Sequence, residues 1–273
     1  MTYEAVLIPS KERNTLCVSS EVGCNMACSF CFTGKQKLKK RLSAGDIVSQ
    51  FQIVNEKIGP DQRITNVVFM GMGEPLDNPD AVFGSIEILH SEWGINFSRK
   101  RVTVSTSGIV PGIMDIAKSK ARLAVSLNAT TNEMRDAIMP INRKYPLEVL
   151  MQGCRDYYAA TNDGITFEYV LLKGVNDTPA DAKRIKQLVK GIMCKINLIP
   201  FNEHPGSEFK RPESKKVFEF QESLMKMGLQ VLIRRTMGRD IYAACGQLQS
   251  EFEGKPAHLT KDVMTTPSLT QLG

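Results

Sequence analysis

The chain has 273 residues, of which 42% are hydrophobic and 23% are charged. Its 20 glycines and 13 prolines are too few for a collagen-like or disordered protein. The length predicts one large folded domain or two small ones. The net charge of +6 favours a polyanionic partner but does not identify one. Because there is no run of 18 apolar residues and the first residues carry charges, we expect neither a membrane span nor a secretory signal.

Short β-rich runs alternate with amphipathic helical stretches along almost the whole chain, which is the pattern of a parallel sheet with crossover helices. The predicted strands are residues 15–20, 64–71, 101–108, 121–129, 165–172, 194–202 and 229–236. The predicted helices are residues 43–58, 78–93, 110–119, 146–162, 179–192 and 214–228. Ser43, Asn78 before Pro79, and Thr178 before Pro179 indicate helix starts.

Six or seven strand–helix units form either a doubly wound sheet or an incomplete barrel. In both folds, ligands bind beyond the carboxyl ends of the strands. No stretch has the composition of a domain linker, so we expect residues 1–253 to form one unit of either fold with a short N-terminal extension, and residues 254–273 to form a loose polar tail.

Three of the seven cysteines, Cys24, Cys28 and Cys31, crowd into the loop after the first predicted strand. Thiolates at this C-x-x-x-C-x-x-C spacing can hold one corner of a [4Fe–4S] cluster and leave one iron open to a further ligand. The alternative is a structural zinc site or surface thiols, but structural zinc takes four protein ligands, and no fourth Cys or His follows in this loop. The spacing therefore favours iron–sulfur chemistry.

The triplet, with Phe30 before its last cysteine, resembles the cluster motif of the radical S-adenosylmethionine (radical SAM) superfamily. The chain is similar to the RlmN/Cfr family of RNA adenine methyltransferases in nine segments: EAVLIP, TLCVSSEVGC, CFTGKQ, GMGEPLDN, VTVSTSGIVP, INRKYPL, FEYVLLKGVND, KINLIPFN and DIYAACGQL. This resemblance implies an α/β fold, an incomplete (β/α)6 TIM-like barrel of the radical SAM type. It also implies one [4Fe–4S] cluster on Cys24, Cys28 and Cys31, and two molecules of S-adenosylmethionine per turnover.

The resemblance assigns cofactor contacts to residues at strand ends: Gly73, Glu74, Ser105, Ser126, Leu127, Asn128 and Asn202. Gly71 and Gly73 let the backbone approach a ligand, and Glu74 offers a carboxylate to a cation. Taken by itself, this G-x-G-E segment is at least as typical of a plain tight turn. The chain departs from the family at Asn128, where His is usual. Asn keeps the hydrogen-bonding capacity but does not titrate near neutral pH.

Two further cysteines, Cys17 and Cys245, match the family's catalytic pair. A lone cysteine is usually a small buried hydrophobe, and we interpret Cys154 and Cys194 in this way. Cys245 differs because it lies between small residues and follows three arginines, whose positive charge favours the thiolate.

The resemblance implies a radical mechanism, since carbon 2 of adenine is too electron-poor to attack a methyl cation equivalent. S-Adenosylmethionine methylates Cys245, and a 5′-deoxyadenosyl radical from a second molecule removes a hydrogen from that methyl group. The methylene radical adds to the ring, a base removes the ring proton, and Cys17 forms a disulfide with Cys245 as methylated RNA leaves. Glu4 matches the family's proton acceptor, although a glutamate near a chain start is usually a solvated charge.

The resemblance implies RNA as the partner, with methylation of an adenosine in 23S rRNA and in tRNA. The basic runs at 35–41 and 99–101 are candidates for phosphate contacts, although such runs usually mark solvated faces. An electron donor such as flavodoxin and a reducing, cytoplasmic compartment are implied as well. We expect a monomer that lacks the family's N-terminal accessory domain, because the chain begins at the EAV segment.

Two other functions remain open. A carbon 8 adenosine methyltransferase of the same family shares all of these residues, so only the identity of the product separates the two activities. The second alternative is a non-catalytic iron–sulfur or RNA-binding protein, but such a protein has no need of Cys17 and Cys245.

Overall fold

The computed structural model describes residues 2–10, 13–59, 62–234 and 246–248, apart from the side chain of Arg99. Within these residues the strands are β1 (Val6–Pro9), β2 (Asn14–Val18), β3 (Glu21–Val22), β4 (Lys40–Arg41), β5 (Asn66–Phe69), β6 (Val102–Thr106), β7 (Arg122–Ser126), β8 (Ile165–Leu171), β9 (Cys194–Pro200) and β10 (Gln230–Ile233). The α-helices are α1 (Ala44–Ile58), α2 (Pro79–His90), α3 (Ile113–Lys118), α4 (Asn132–Ile138), α5 (Leu147–Thr161), α6 (Pro179–Leu188) and α7 (Ser214–Lys226). None of these helices is long and apolar enough to cross a membrane. The predicted tail at 254–273 lies outside the described residues.

One sheet contains eight of these strands in the order β1-β2-β5-β6-β7-β8-β9-β10. Every neighbouring pair from β2 to β10 is parallel. The strand β1 pairs antiparallel with β2 and adds an edge that the sequence pattern did not predict. Since β1 and β10 lie at opposite ends of this order, the described sheet is open, and it curls into an incomplete barrel. The predicted α/β fold of the (β/α)6 type is confirmed.

Two of the three predicted helix starts have the expected cap. Ser43 and Thr178 each form a capping box at the start of α1 and α6. Asn78 precedes α2, but its side chain does not cap that helix. Its amide instead donates to the carbonyls of Ser20 and Leu42, at 3.0 and 2.8 Å, so it ties the start of α2 to the segment after β2.

Alternation along β8 shows how the sheet separates its two faces. Phe167, Tyr169 and Leu171 are fully buried in the main core, which lies between the sheet and the surrounding helices. Burial of each such side chain stabilises the fold by roughly 1.5–3 kcal/mol. The intervening residues Glu168 and Val170 point the other way and line a cavity inside the curled sheet.

The fully buried guanidinium of Arg135, on α4, joins the loops that follow β6 and β7. It donates to the carbonyls of Ser107, Ser126 and Leu127 and to Oδ1 of Asn142, at 2.6 to 3.2 Å. Burial lowers its pKa to about 10, so the group stays charged at neutral pH. The sequence pattern did not predict α4. This helix contributes the arginine that fixes the loops after β6 and β7 at the cavity.

We expect Arg135→Lys to lower the free energy of unfolding of the metal-free protein by about 3 kcal/mol or more. An ammonium cannot reach all four acceptors, and each buried acceptor left unpaired costs about 1–3 kcal/mol. Urea unfolding at neutral pH measures the change, and Arg143→Lys, the same substitution at an exposed site, is the matched control. Equal unfolding midpoints for the two variants would contradict the role given to Arg135.

Candidate active site

A cavity of about 180 Å³ lies where the strands of the parallel sheet end. The predicted site residues that line it are Cys24, Cys28, Cys31, Gly73, Glu74, Ser105, Ser126, Asn128 and Asn202. They come from the loop after β3 and from the ends of β5, β6, β7 and β9, and the curled sheet brings them together. Glu4, Cys17 and Leu127 are not among the lining residues, and Cys245 lies outside the described residues.

The three cluster cysteines lie on the loop between β3 and β4, two short strands that pair antiparallel and close its base. Cys28 is buried, and Cys24 and Cys31 are half-buried. Backbone bonds fix the loop: the Cys24 N–H donates to the Gln36 carbonyl and the Cys31 N–H to the Cys28 carbonyl, each at 3.1 Å. The thiols are therefore presented to the cavity by an ordered turn.

Electrostatics at these thiols favour a bound cation. Burial raises the pKa of both Cys24 and Cys28, and the proximity of Cys31 raises it further. The Met26 N–H donates to the Cys24 sulfur at 3.5 Å and offsets part of this rise. Three thiolates on one wall repel one another unless positive charge lies between them, and iron ions supply that charge.

The spacing of donor side chains bears on the kind of metal site. In the part of the chain that the structure describes, no three His, Cys, Asp or Glu side chains gather around a point that would hold a single metal ion. A [4Fe–4S] cluster needs its thiolates farther apart than one zinc ion does, because each thiolate binds a different iron. The three cysteines line one cavity, and the choice of a cluster over zinc stays a prediction from their spacing in the sequence.

Gly71 and Gly73 have a structural reason in addition to the predicted one. A Cβ on Gly71 would lie 2.6 Å from Oγ of Ser19, and one on Gly73, where φ is +96°, would lie 2.5 Å from Cβ of Glu21. Both glycines are thus required by the close approach of the segments after β2 and β5. Gly73 also lines the cavity, and its contact with a cofactor stays a prediction.

The Glu74 carboxylate is held rigidly at the cavity wall. It is 3% exposed and accepts the N–H of Ser107 at 2.6 Å and that of Leu76 at 3.1 Å. Burial raises its pKa, while the two N–H donors favour the charged form. The hydroxyls of Ser107 and Thr106 also favour the charged form, and Glu74 lines the cavity, so its carboxylate offers negative charge to an ammonium group there.

Asn128 follows β7 with φ at +52°, in the left-handed region that Asn adopts more readily than most residues. Its Oδ1 accepts the Val170 N–H at 2.8 Å, and its Nδ2 donates to the Met139 sulfur at 3.3 Å. Asn therefore suits this backbone conformation and is anchored by both hydrogen bonds.

Ser105, Ser126 and Asn202 all line the cavity, whereas Leu127 does not. The Leu127 side chain is fully buried in the main core. Its N–H donates to the Glu168 carbonyl at 3.0 Å, and its carbonyl accepts from Arg135. Its assignment as a cofactor contact stays a prediction.

The strand β1 explains the spacing between Glu4 and Cys17. Val6 of β1 is opposite Cys17 of β2, so the chain just before β1 lies beside the residues just after Cys17. Accordingly, Oγ of Ser19 donates to the Glu4 carbonyl at 2.6 Å. Cys17 itself is 6% exposed and pairs with Val68 of β5 on its other side.

Sequence reasoning missed Glu168 of β8 and Arg234 after β10, which also line the cavity. The Glu168 Oε1 accepts from Nδ2 of Asn197 at 2.9 Å, and its buried Oε2, which has no hydrogen bond, lies 3.8 Å from Arg234. Burial raises the pKa of Glu168, and Arg234 and Asn197 oppose that rise. A sequence signal existed, since Thr166 and Glu168 are polar at alternate positions of an otherwise apolar run.

Much of the first basic run serves the fold. Lys35 donates to the Gly206 carbonyl, and Lys40 and Arg41 form ion pairs with aspartates at 3.1 and 2.8 Å. In the second run, Arg101 donates to the Thr65 carbonyl at 3.0 Å. Phosphate contacts from either run remain a prediction.

Comparisons with known proteins give the family. The model of the radical SAM superfamily matches residues 18–184. The chain is 59% identical over 248 residues to the dual-specificity RNA methyltransferase RlmN of Bdellovibrio bacteriovorus, covering 91% of this chain and 62% of that protein. It is 50% identical over 252 residues to the protein of the same name from Syntrophobacter fumaroxidans, covering 92% and 74%.

A solved structure agrees with these matches. The crystal structure of a radical SAM methyltransferase from Sphaerobacter thermophilus superposes with a TM-score of 0.87 and 42% identity, covering 91% of this chain and 74% of that one. The resemblance inferred from the sequence segments is thereby confirmed. The chain belongs to the radical SAM superfamily and, within it, to the RlmN family of RNA methyltransferases.

Proposed function

We propose that this protein uses S-adenosylmethionine to methylate carbon 2 of an adenosine in 23S rRNA and in tRNA. The observation that carries the proposal is the cavity, in which three cysteine thiols share a wall with polar groups from four strand ends. The relatives are named dual-specificity RNA methyltransferases, which supports RNA as the substrate here.

In this proposal Cys24, Cys28 and Cys31 hold the [4Fe–4S] cluster, and the polar strand-end residues hold S-adenosylmethionine. When bound, the two groups supply a carbon-centred radical, and two molecules of S-adenosylmethionine serve each turnover. The Glu74 carboxylate, fixed by Ser107 and Leu76, accepts from the ammonium end of the cofactor. Holding these groups inside the curled sheet limits the access of water to a reactive radical.

Three residues outside the cluster complete the chemistry. Cys245 carries the methyl group as a thioether, and Glu4 accepts the proton that leaves the adenine ring. The Cys17 thiolate then attacks the Cys245 sulfur: an S–S bond forms, and the S–C bond to the RNA-bound methylene breaks with its electron pair passing to that carbon, which takes up a proton to become the methyl group. The unpaired electron that radical addition leaves on the adduct would return to the oxidised cluster. The antiparallel pairing of β1 with β2 supports this assignment, because it holds Glu4 close to Cys17 in the chain fold.

The proposal extends to the setting of the enzyme. Residues 1–253 act as the catalytic barrel of a monomer. Because the Cys17–Cys245 disulfide must be reduced after each turnover, the enzyme works in a reducing, cytoplasmic compartment. A low-potential donor such as flavodoxin supplies the electrons. The chain spans 62% of the length of the Bdellovibrio relative. Activity on both RNA classes is proposed because that relative is named a dual-specificity RNA methyltransferase.

Product analysis tests the proposed activity. The protein, reconstituted with iron and sulfide without oxygen and supplied with S-adenosylmethionine, a reductant and rRNA or tRNA, should yield 2-methyladenosine by mass spectrometry of digested RNA. Finding 8-methyladenosine would assign the protein to the carbon 8 activity instead. Cleavage of S-adenosylmethionine with neither methylated RNA nor methylated Cys245 would refute the methyltransferase assignment.

A second prediction concerns Cys17. Cys17→Ala should accumulate enzyme joined covalently to RNA, because the thiolate that releases the product is gone. Denaturing gel electrophoresis with labelled RNA detects the adduct. Cys194→Ala is the matched control, since Cys194 begins β9 and does not line the cavity. Release of free methylated RNA by Cys17→Ala at the rate of the control would show that another group resolves the intermediate.

A further inference from the structure

Glu168 is a buried carboxylate that the chemistry described above does not use. Its side chain is 7% exposed and lines the cavity on the β8 wall. Asn197 satisfies Oε1, but Oε2 is buried and has no hydrogen-bond donor among the described residues. A buried carboxylate oxygen without a donor is costly, so such an atom facing a cavity indicates a ligand that supplies one.

Arg234 defines the geometry beside this oxygen. Its guanidinium nitrogen lies 3.8 Å from Oε2 of Glu168, too far for a hydrogen bond, and 3.7 Å from the Met70 sulfur. Its backbone N–H donates to the Leu198 carbonyl at 2.9 Å, which fixes its place beside β9. The wall thus presents an acceptor next to a cationic donor.

This pair of groups matches one edge of adenine. The base presents its exocyclic N6 amino group as a donor and the ring nitrogen beside it as an acceptor. Guanine has an acceptor oxygen in place of that amino group and would place it against the carboxylate.

We propose that Glu168, with Arg234 beside it, recognises the N6 edge of an adenine held in the cavity, and so acts as a specificity-determining residue. The inference rests on the proposed function, which brings two adenines to this cavity, one in S-adenosylmethionine and one in RNA. The chemistry recognised is the same for both.

Two binding experiments on the reconstituted protein separate the two sources. One measures, by fluorescence anisotropy, the affinity for an RNA hairpin with adenosine at the target position and for the same hairpin with purine riboside, which lacks the amino group. The other measures the affinity for S-adenosylmethionine and for its purine riboside analogue by calorimetry. Neither needs turnover, so failure of the methylation assay would leave both experiments valid.

Glu168→Gln should remove most of the preference for the amino group in one of the two experiments. A well-placed contact of this kind discriminates by about tenfold. We therefore expect the wild type to bind the adenine form about tenfold more tightly than the purine form. The variant should bind the two forms equally, with an affinity close to that of the wild type for the purine form. Loss in the RNA experiment identifies the target base, and loss in the other identifies the cofactor.

Glu222→Gln is the matched control, because Glu222 lies on α7 in an exposed ion pair with Lys226. It should keep the full preference in both experiments. If Glu168→Gln weakens the adenine and purine forms equally, or changes neither, the role of Glu168 is structural and the proposal is wrong. Thermal unfolding of both variants confirms that each is folded during the measurement.

Discussion

The parallel strands of an open, curled sheet end at the same rim, and the rest of the structure depends on this constraint. The loop after β3, which carries Cys24, Cys28 and Cys31, meets the segments after β5, β6, β7 and β9 because the large sheet is parallel throughout, apart from its edge strand β1. Residues far apart in the chain, such as Cys24 and Asn202, therefore share one cavity. No single loop contains the site.

The loops at this rim are held in place by hydrogen bonds from buried charged side chains. Arg135 binds the carbonyls of Ser107, Ser126 and Leu127, while Glu74 accepts the N–H of Ser107 from the neighbouring segment. Both charged groups are buried and hydrogen-bonded, which makes them expensive to disrupt. The protein's own hydrogen bonds thus hold the loops that would contact the cofactor, which lowers the conformational ordering that binding requires.

Much of this arrangement could be predicted from the sequence, and each element that was not predicted has an identifiable physical cause. The strand–helix alternation allowed either a doubly wound sheet or a barrel, and the family resemblance implied the barrel. The cysteine spacing predicted a metal-cluster loop. The four-residue strand β1 was missed because VLIP is too short to show alternation. Helix α4 was missed because its seven residues give barely two turns of pattern.

Other misses come from contacts that no local pattern encodes. Asn78 has the sequence position of a cap, yet its amide binds carbonyls of two distant segments. Gly71 and Gly73 have close neighbours that the sequence did not reveal, because the nearest atoms that exclude a side chain belong to Ser19 and Glu21. These partners lie some fifty residues away in the chain, and only the folded sheet brings them near.

The central claim is that the cavity holds a cluster with one iron open to S-adenosylmethionine. Electron paramagnetic resonance of the reconstituted, reduced protein tests it most directly. The account predicts about four irons per chain and a spectrum that changes when S-adenosylmethionine is added. A cluster spectrum that S-adenosylmethionine leaves unchanged, or iron that still loads after Cys24, Cys28 and Cys31 are all replaced by alanine, would contradict the claim.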